Sequence, residues 1–195
     1  MDNRKMGFYV DMTACIGCRT CQIACKDKND LPLGVLYRRV KSYETGRFPE
    51  PGYYHYSSAC NHCTNPKCIQ TCPTGAMHLS EDGTVQHNRK VCIRCQYCVR
   101  NCPYGVPQYF EGEDVIGKCD SCKNLREKDQ NPACVDACLM RCLEWGELEE
   151  LKKRYSGEEM TSDIAVLPSS EMTTPSVLIK PKKIALKDAF REVDI

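Results

Sequence analysis

The stretch Cys92-Ile93-Arg94-Cys95-Gln96-Tyr97-Cys98-Val99-Arg100-Asn101-Cys102-Pro103 decides how this chain is read. Three cysteines come at strict three-residue steps, and a fourth follows with a proline directly behind it. A tight loop carrying three thiols can reach three corners of one polynuclear centre, whereas a single tetrahedral ion rarely needs such a run. Moving outward, three more quartets stand along the chain: Cys15, Cys18, Cys21 and Cys25; Cys60, Cys63, Cys68 and Cys72; Cys119, Cys122, Cys134 and Cys138. Of the 17 cysteines, only Cys142 is left over.

The spacing C-x2-C-x2-C-x3-C-P is the signature of bacterial ferredoxins, in which four thiolates hold one 4Fe–4S cubane. Four quartets therefore imply four 4Fe–4S clusters, and so dense a metal load in 195 residues reads most simply as a wire for electrons. Two other cysteine chemistries compete. A disulfide scaffold is typical of small secreted domains, but the odd cysteine count and the chain length argue against it. A zinc-binding structural or interaction module is the alternative reading, because Cys119, Cys122, Cys134 and Cys138 alone would suit zinc. A radical enzyme would need a three-cysteine site with one open iron and a barrel around its cofactor. The chain is short for that and has no Gly-rich nucleotide loop, so it reads as non-catalytic.

Leu, Ile, Val and Phe supply only 37 residues, which approaches the composition of disordered chains. A net charge of +1 removes the charge half of that signature. Cluster binding is therefore expected to organise the fold, because ligands gathered on a metal contribute folding energy directly. The apo chain is expected to be largely unfolded. Near-neutral charge argues against nucleic-acid binding. No stretch approaches the ~18 apolar residues of a membrane span. Met1 to Lys5 is polar and carries neither a hydrophobic export region nor a twin-arginine pair, so export is expected to depend on a partner.

In two-cluster ferredoxins the fourth cysteine of a run ligates the other cluster. Each cluster then needs two motifs. The middle two motifs are neighbours, and Met77 to Asn88 between them reads as a β-hairpin turning at Glu81-Asp82-Gly83. Thr71 to Ala76 reads as a short helical end broken by Pro73 and Gly75. Residues 60–107 thus form an inner ferredoxin-like unit, leaving the first and fourth motifs to pair across it. The outer unit, 1–59 and 108–155, begins with a strand at Met6 to Met12 and ends with a strand leading into a helix, Leu143 to Tyr155. Residues 26–59 read as a connecting arm whose Tyr37, Tyr43, Tyr53, Tyr54 and Tyr56 serve packing. The expected fold class is α+β: two bacterial-type 2[4Fe–4S] ferredoxin-like units, one inserted in the other with pseudo-twofold symmetry, followed by an extended C-terminal tail, 156–195.

Several stretches carry a wider resemblance: Gly7-Phe8-Tyr9-Val10-Asp11, Cys15 to Asp30, Cys60-Asn61-His62-Cys63, Cys72-Pro73-Thr74-Gly75-Ala76-Met77-His78, Cys102-Pro103-Tyr104-Gly105, Pro107-Gln108-Tyr109, Lys118-Cys119-Asp120 and Lys180-Pro181. In these the chain resembles the iron–sulfur electron-transfer subunits of the dimethyl sulfoxide reductase family. The resemblance implies four ligand sets: Cys15, Cys18, Cys21 and Cys138 for a first cluster; Cys25, Cys119, Cys122 and Cys134 for a second; Cys72, Cys92, Cys95 and Cys98 for a third; Cys60, Cys63, Cys68 and Cys102 for a fourth. It implies a molybdopterin-containing catalytic subunit beside the first cluster and an integral membrane quinol-oxidising anchor beside the fourth. A peripheral membrane complex is expected, on the extracytoplasmic face if co-exported with the catalytic subunit, with the cytoplasmic face as the alternative. Because Cys95 is present, all four clusters are expected to be 4Fe–4S rather than 3Fe–4S.

The chain departs from the family at two places. Leu139 follows Cys138 where proline is usual, and Cys142 stands where a small residue is usual. Cys142 reads as a buried small hydrophobe or, alternatively, as a replacement ligand for Cys138. Arg19, Lys26, Arg94, Arg100 and Lys118 lie beside ligands, where positive charge favours a reduced cluster; as a class such residues are more often solvated or partner-binding. His55, His62, His78 and His87 read as structural, and Trp145 as packing. The tail is expected to be mobile alone and to embrace the catalytic subunit. Its deletion after Gly157 is expected to weaken the complex and leave four clusters.

Overall fold

The computed structural model describes residues 5–187 and 189–193. In chain order the elements are β1 (Met6–Asp11), α1 (Thr20–Lys28), β2 (Arg39–Thr45), β3 (Gly52–Ser58), α2 (Lys67–Gln70), β4 (Met77–Leu79), β5 (Val85–His87), α3 (Tyr97–Asn101), β6 (Gln108–Phe110), β7 (Val115–Gly117), α4 (Lys123–Arg126), α5 (Ala133–Asp136), β8 (Leu143–Glu147), α6 (Leu148–Arg154), β9 (Val177–Lys180) and β10 (Phe190–Val193).

The strand β1 is apolar on both faces because it is the middle strand of its sheet. It pairs antiparallel with β8 (Phe8 opposite Trp145) and parallel with β9 (Val10 opposite Ile179). Phe8 and Val10 enter the main core with Val177 and Ile179. Tyr9, one residue out of phase, packs on the other face with Leu151 and Leu178, as the two-residue period of a strand requires. Strand β8 runs straight into α6, as the sequence predicts. Trp145 meets Phe8 edge to face at 4.5 Å, and Arg126 lies over its indole at 5.0 Å.

The predicted hairpin is β4–β5, with Met77 opposite His87. Its turn is held by the Asp82 carboxylate, which accepts from Thr84 N at 3.0 Å and Thr84 Oγ1 at 2.7 Å. The short helix before it lies earlier than predicted, at Lys67–Gln70, because Pro73 disfavours helix in the residues leading into it. A second hairpin, β6–β7, follows directly after residue 107 and divides its side chains between two cores. Phe110 joins the main core, while Ile116 joins a smaller core with Cys68, Met77, Val85 and Cys98.

Two expectations are corrected. The connecting arm is a sheet: β2 and β3 pair over seven residues and β10 adds a third strand. Tyr37, Tyr43, Tyr54 and Tyr56 are buried, so they do pack, while Tyr53 is exposed. The tail, expected to be extended and mobile by itself, is also corrected, because its described residues join the sheets. Besides β9 and β10, it contributes Ile164, Thr173, Ser176 and Ala185 to the interior. Its run Val177-Leu178-Ile179 is short and uninterrupted, which suits a strand edge covered on both faces, and β1 leaves that edge open for it.

Candidate metal centre

The four motifs use two local shapes. In the first motif the chain turns left-handed at Gly17 (φ 71°) and Arg19 (φ 61°), then enters α1; in the third it does so at Arg94 (φ 59°) and Gln96 (φ 62°), then enters α3. Successive backbone N–H groups in such turns form a concavity that suits an anionic centre. At Gly17 there is a second constraint, since a β-carbon would overlap the His55 ring. In the second and fourth motifs the third cysteine sits in a short helix begun by proline, Pro66 before α2 and Pro132 before α5. In all four motifs the last two cysteines are four residues apart (21/25, 68/72, 98/102, 134/138); Cys21 and Cys25 both lie in α1, one helical turn apart, while Cys72, Cys102 and Cys138 lie just past the ends of their helices.

Burial and neighbouring charge describe the surroundings of these thiols. The Cys98 thiol is pushed up to about 11 by burial, with Cys92, Cys72 and Cys95 as its charged neighbours. Cys68 is raised to about 12 by burial, among Cys60, Cys102 and Cys63. Cys25 is raised to about 12 by burial, beside Cys134 and Cys122. The fully buried Cys119 is raised by burial and stands near Cys25, Cys60 and Cys134. Cys21 is raised by burial, with Cys134 and Cys138 nearby. A small cavity is lined by Cys15, Cys18, Cys21, Cys138 and Cys142. Cys98 thus has the last cysteine of another motif, Cys72, among its neighbours, and Cys68 has Cys102, while Cys119 also neighbours Cys60 and Cys21 also neighbours Cys134.

This donor set fits an iron–sulfur cluster. All four sites offer thiols. Buried thiols raised this far keep their protons until metal displaces them, so loading releases protons. Among the described residues no three His, Cys, Asp or Glu side chains close in tightly enough for one bare ion. Four thiolates on one zinc would stand within ~4 Å of one another, given Zn–S bonds of ~2.3 Å. A cubane keeps its thiolates farther apart, because each binds a different iron.

The seventeenth cysteine lies at the first of these sites. Cys142 is buried, its Sγ is 3.3 Å from Cys138 Sγ, and its thiol beside Cys15 lowers the Cys15 thiol from its ordinary value. The turn before it closes without proline: Arg141 N donates to Cys138 O at 3.1 Å, and Leu139 projects into solvent.

Among the basic residues singled out from sequence, Lys26 is spent on Leu31 O and Pro32 O (2.7 and 2.6 Å), Arg94 pairs with the exposed Asp114 at 2.9 Å, and Arg100 is exposed. Lys118 is buried. Its ammonium donates to Val85 O (2.5 Å) and Cys119 O (2.6 Å) and lies 3.8 Å from Cys60 Sγ. His62 is also buried; its Nδ1 accepts the Val85 N–H at 3.0 Å, which agrees with a structural role. Sequence reasoning missed Arg38 and Ser57. Arg38 is 1% exposed, and its Nη1 donates to Ser57 O (3.1 Å) and Oγ (3.0 Å). The only signal was the pair Arg38-Arg39 at a strand start, where one of two neighbours must face inward.

Two profiles described as 4Fe-4S dicluster domains match the sequence, one over residues 52–148 and one over 14–76. The B subunit of anaerobic dimethyl sulfoxide reductase from Haemophilus influenzae is 40% identical, with 93% of this chain and 91% of that one aligned. The Escherichia coli subunit of the same description is 40% identical over 91% and 89%. The B subunit of polysulfide reductase from Wolinella succinogenes is 30% identical over 92% and 96%. With its thiol quartets, ferredoxin-like motifs and this full-length likeness, the protein belongs to the family of iron–sulfur electron-transfer subunits typified by the B subunit of dimethyl sulfoxide reductase.

Proposed function

We propose that the chain carries four 4Fe–4S clusters and passes electrons one at a time between a membrane quinol-oxidising anchor and a molybdopterin catalytic subunit, without catalysing a reaction itself. What supports this reading is that buried thiols of separate motifs lie near one another, Cys72 by Cys98 and Cys102 by Cys68, from which we infer interleaved ligand sets. Cys138 joins Cys15, Cys18 and Cys21; Cys25 joins Cys119, Cys122 and Cys134; Cys72 joins Cys92, Cys95 and Cys98; Cys102 joins Cys60, Cys63 and Cys68. The shared left-handed turns of the first and third motifs, and the shared proline starts of the second and fourth, support one ferredoxin-like unit (60–107) inserted in another (1–59 and 108–155) with pseudo-twofold symmetry. Each cluster, when bound, takes up and returns one electron.

The protein residues favour an order for the four sites. Lys118 links Cys119 to Cys60, and Cys60 shares the main core with Cys21, Cys25, Cys119, Cys134 and Cys138. The Cys60 set therefore adjoins the outer pair and the Cys92 set lies beyond it. This is the reverse of the third and fourth places implied by resemblance. Exposed apolar side chains gather in sequence at both ends: Ile16, Ile23, Leu139 and Met140 around the Cys15 set, and Val91, Ile93 and Tyr97 around the Cys92 set. The first suits the catalytic subunit and the second the anchor. The complex would be peripheral on the membrane, on the extracytoplasmic face if co-exported. No described helix is long and apolar enough to cross a membrane.

The test is substitution of the lent cysteines. Cys25→Ser should remove the same EPR component as Cys122→Ser, not the one removed by Cys18→Ser; the opposite grouping would end the interleaved reading. A second pair settles the remainder. Cys138→Ser should lose the component that Cys18→Ser loses, while Cys142→Ala keeps all four. Loss with Cys142→Ala and retention with Cys138→Ser would make Cys142 the ligand.

A further inference from the structure

The buried Arg38 has more donors than the protein satisfies. Nη1 is spent on Ser57, but Nε and Nη2 have no partner although both are shielded from water. Three N–H donors on a permanent cation are therefore left over. A buried, unpaired guanidinium is strongly unfavourable unless acceptors of negative charge face it. The guanidinium carbon also lies over the Phe8 ring, 4.7 Å from its centroid. Its surroundings are ligand thiols of both outer sites: Cys134, Cys21, Cys119 and Cys25 act on its charge. One connection is direct. Because Nη1 donates to Ser57 Oγ, the serine hydroxyl hydrogen is free to turn to Cys21 Sγ, 3.4 Å away.

We propose that Arg38 is the internal countercation of the two outer cluster sites, donating to their sulfur and favouring the reduced form of both. Reduction adds one electron to a cluster already facing a fixed positive charge, and no proton moves, because arginine stays protonated throughout. Hydrogen bonds to sulfur and net charge are among the terms that set cluster potential. Ser57 is a positioning residue that extends the effect to Cys21 alone. The inference rests on the ligand sets proposed above.

The test is an EPR-monitored redox titration of the intact complex. Arg38→Gln should make reduction of both outer clusters at least tenfold less favourable, about 59 mV per one-electron couple, with the two inner midpoints unmoved. Arg38→Lys should recover part of that shift. Ser57→Ala should lower the midpoint of the Cys15-set cluster alone. Four clusters with unmoved midpoints in Arg38→Gln would overturn the inference and leave the ligand sets standing; wild-type complex without four clusters would instead defeat the ligand sets. If Arg38→Gln fails to assemble, Ser57→Ala decides: a selective fall supports the inference, and no change overturns it.

Discussion

Truncation after Gly157 abolishes assembly of the complete cluster set. The segment it removes supplies one edge of the central sheet. Val177, Leu178, Ile179 and Ile164 are all buried, and burial of each aliphatic side chain is worth ~1.5–3 kcal/mol. Their joint loss, roughly 6–12 kcal/mol, rivals the ~5–15 kcal/mol that holds a typical domain together. The same segment fastens a cluster site. Thr64 N donates to Thr174 O and Asn65 N to Thr173 O (2.8 and 2.9 Å), Ser176 N to Asn61 O (2.8 Å), and Ser176 Oγ to His62 O (2.9 Å). These four bonds clamp the loop that carries Cys60 and Cys63. The truncated protein should therefore contain clearly less iron and sulfide per polypeptide than the full chain and lack a cooperative melt. Four clusters per truncated polypeptide, with native melting, would show that the segment is a detachable arm after all.

Lys118→Met is the second large effect. The ammonium of Lys118 satisfies the carbonyls of Val85, in the inner hairpin, and Cys119, in the fourth motif. Methionine matches its length but donates nothing, so two buried carbonyls are stranded at a cost of ~1–3 kcal/mol each. A total of ~2–6 kcal/mol should lower the melting temperature by on the order of 10 °C in a chain this size. The junction between the Cys119 and Cys60 sites should loosen first, seen as line broadening of those two EPR components before the others. An unchanged melting curve would mean that water replaces the ammonium. The nearby Arg126–Asp82 pair, 2.6 Å apart, ties the same two regions and remains intact in this variant, so it offers an internal comparison by Arg126→Met.

Much of the site was legible because cysteine chemistry is local. The thiol at Cys95 can be placed on the same centre as Cys92 and Cys98 from spacing alone, since three-residue steps on a tight loop leave few other choices. The hairpin at Met77 to Asn88 and the strand–helix at Leu143 to Tyr155 were equally plain, one from its turn residues and the other from a change of period. Arg38 was not legible. It looks like any surface arginine beside Arg39, and only the closure of β1, β3 and the thiol loops over it turns its charge inward. Cys142 was visible as a remainder, but its 3.3 Å approach to Cys138 depends on how the turn at Arg141 folds.

The sequence by itself determined the donor chemistry and the number of quartets, because both are read from cysteine count and covalent spacing. Only the tertiary structure decided that the segment after Gly157 joins the folded body through β9 and β10, that Lys118 bridges Cys119 and Cys60, and that Arg38 is buried near thiols of the first and fourth motifs. Those are contacts between segments far apart in the chain. Their energy comes from burial and unsatisfied donors, which exist only once distant strands have closed around them.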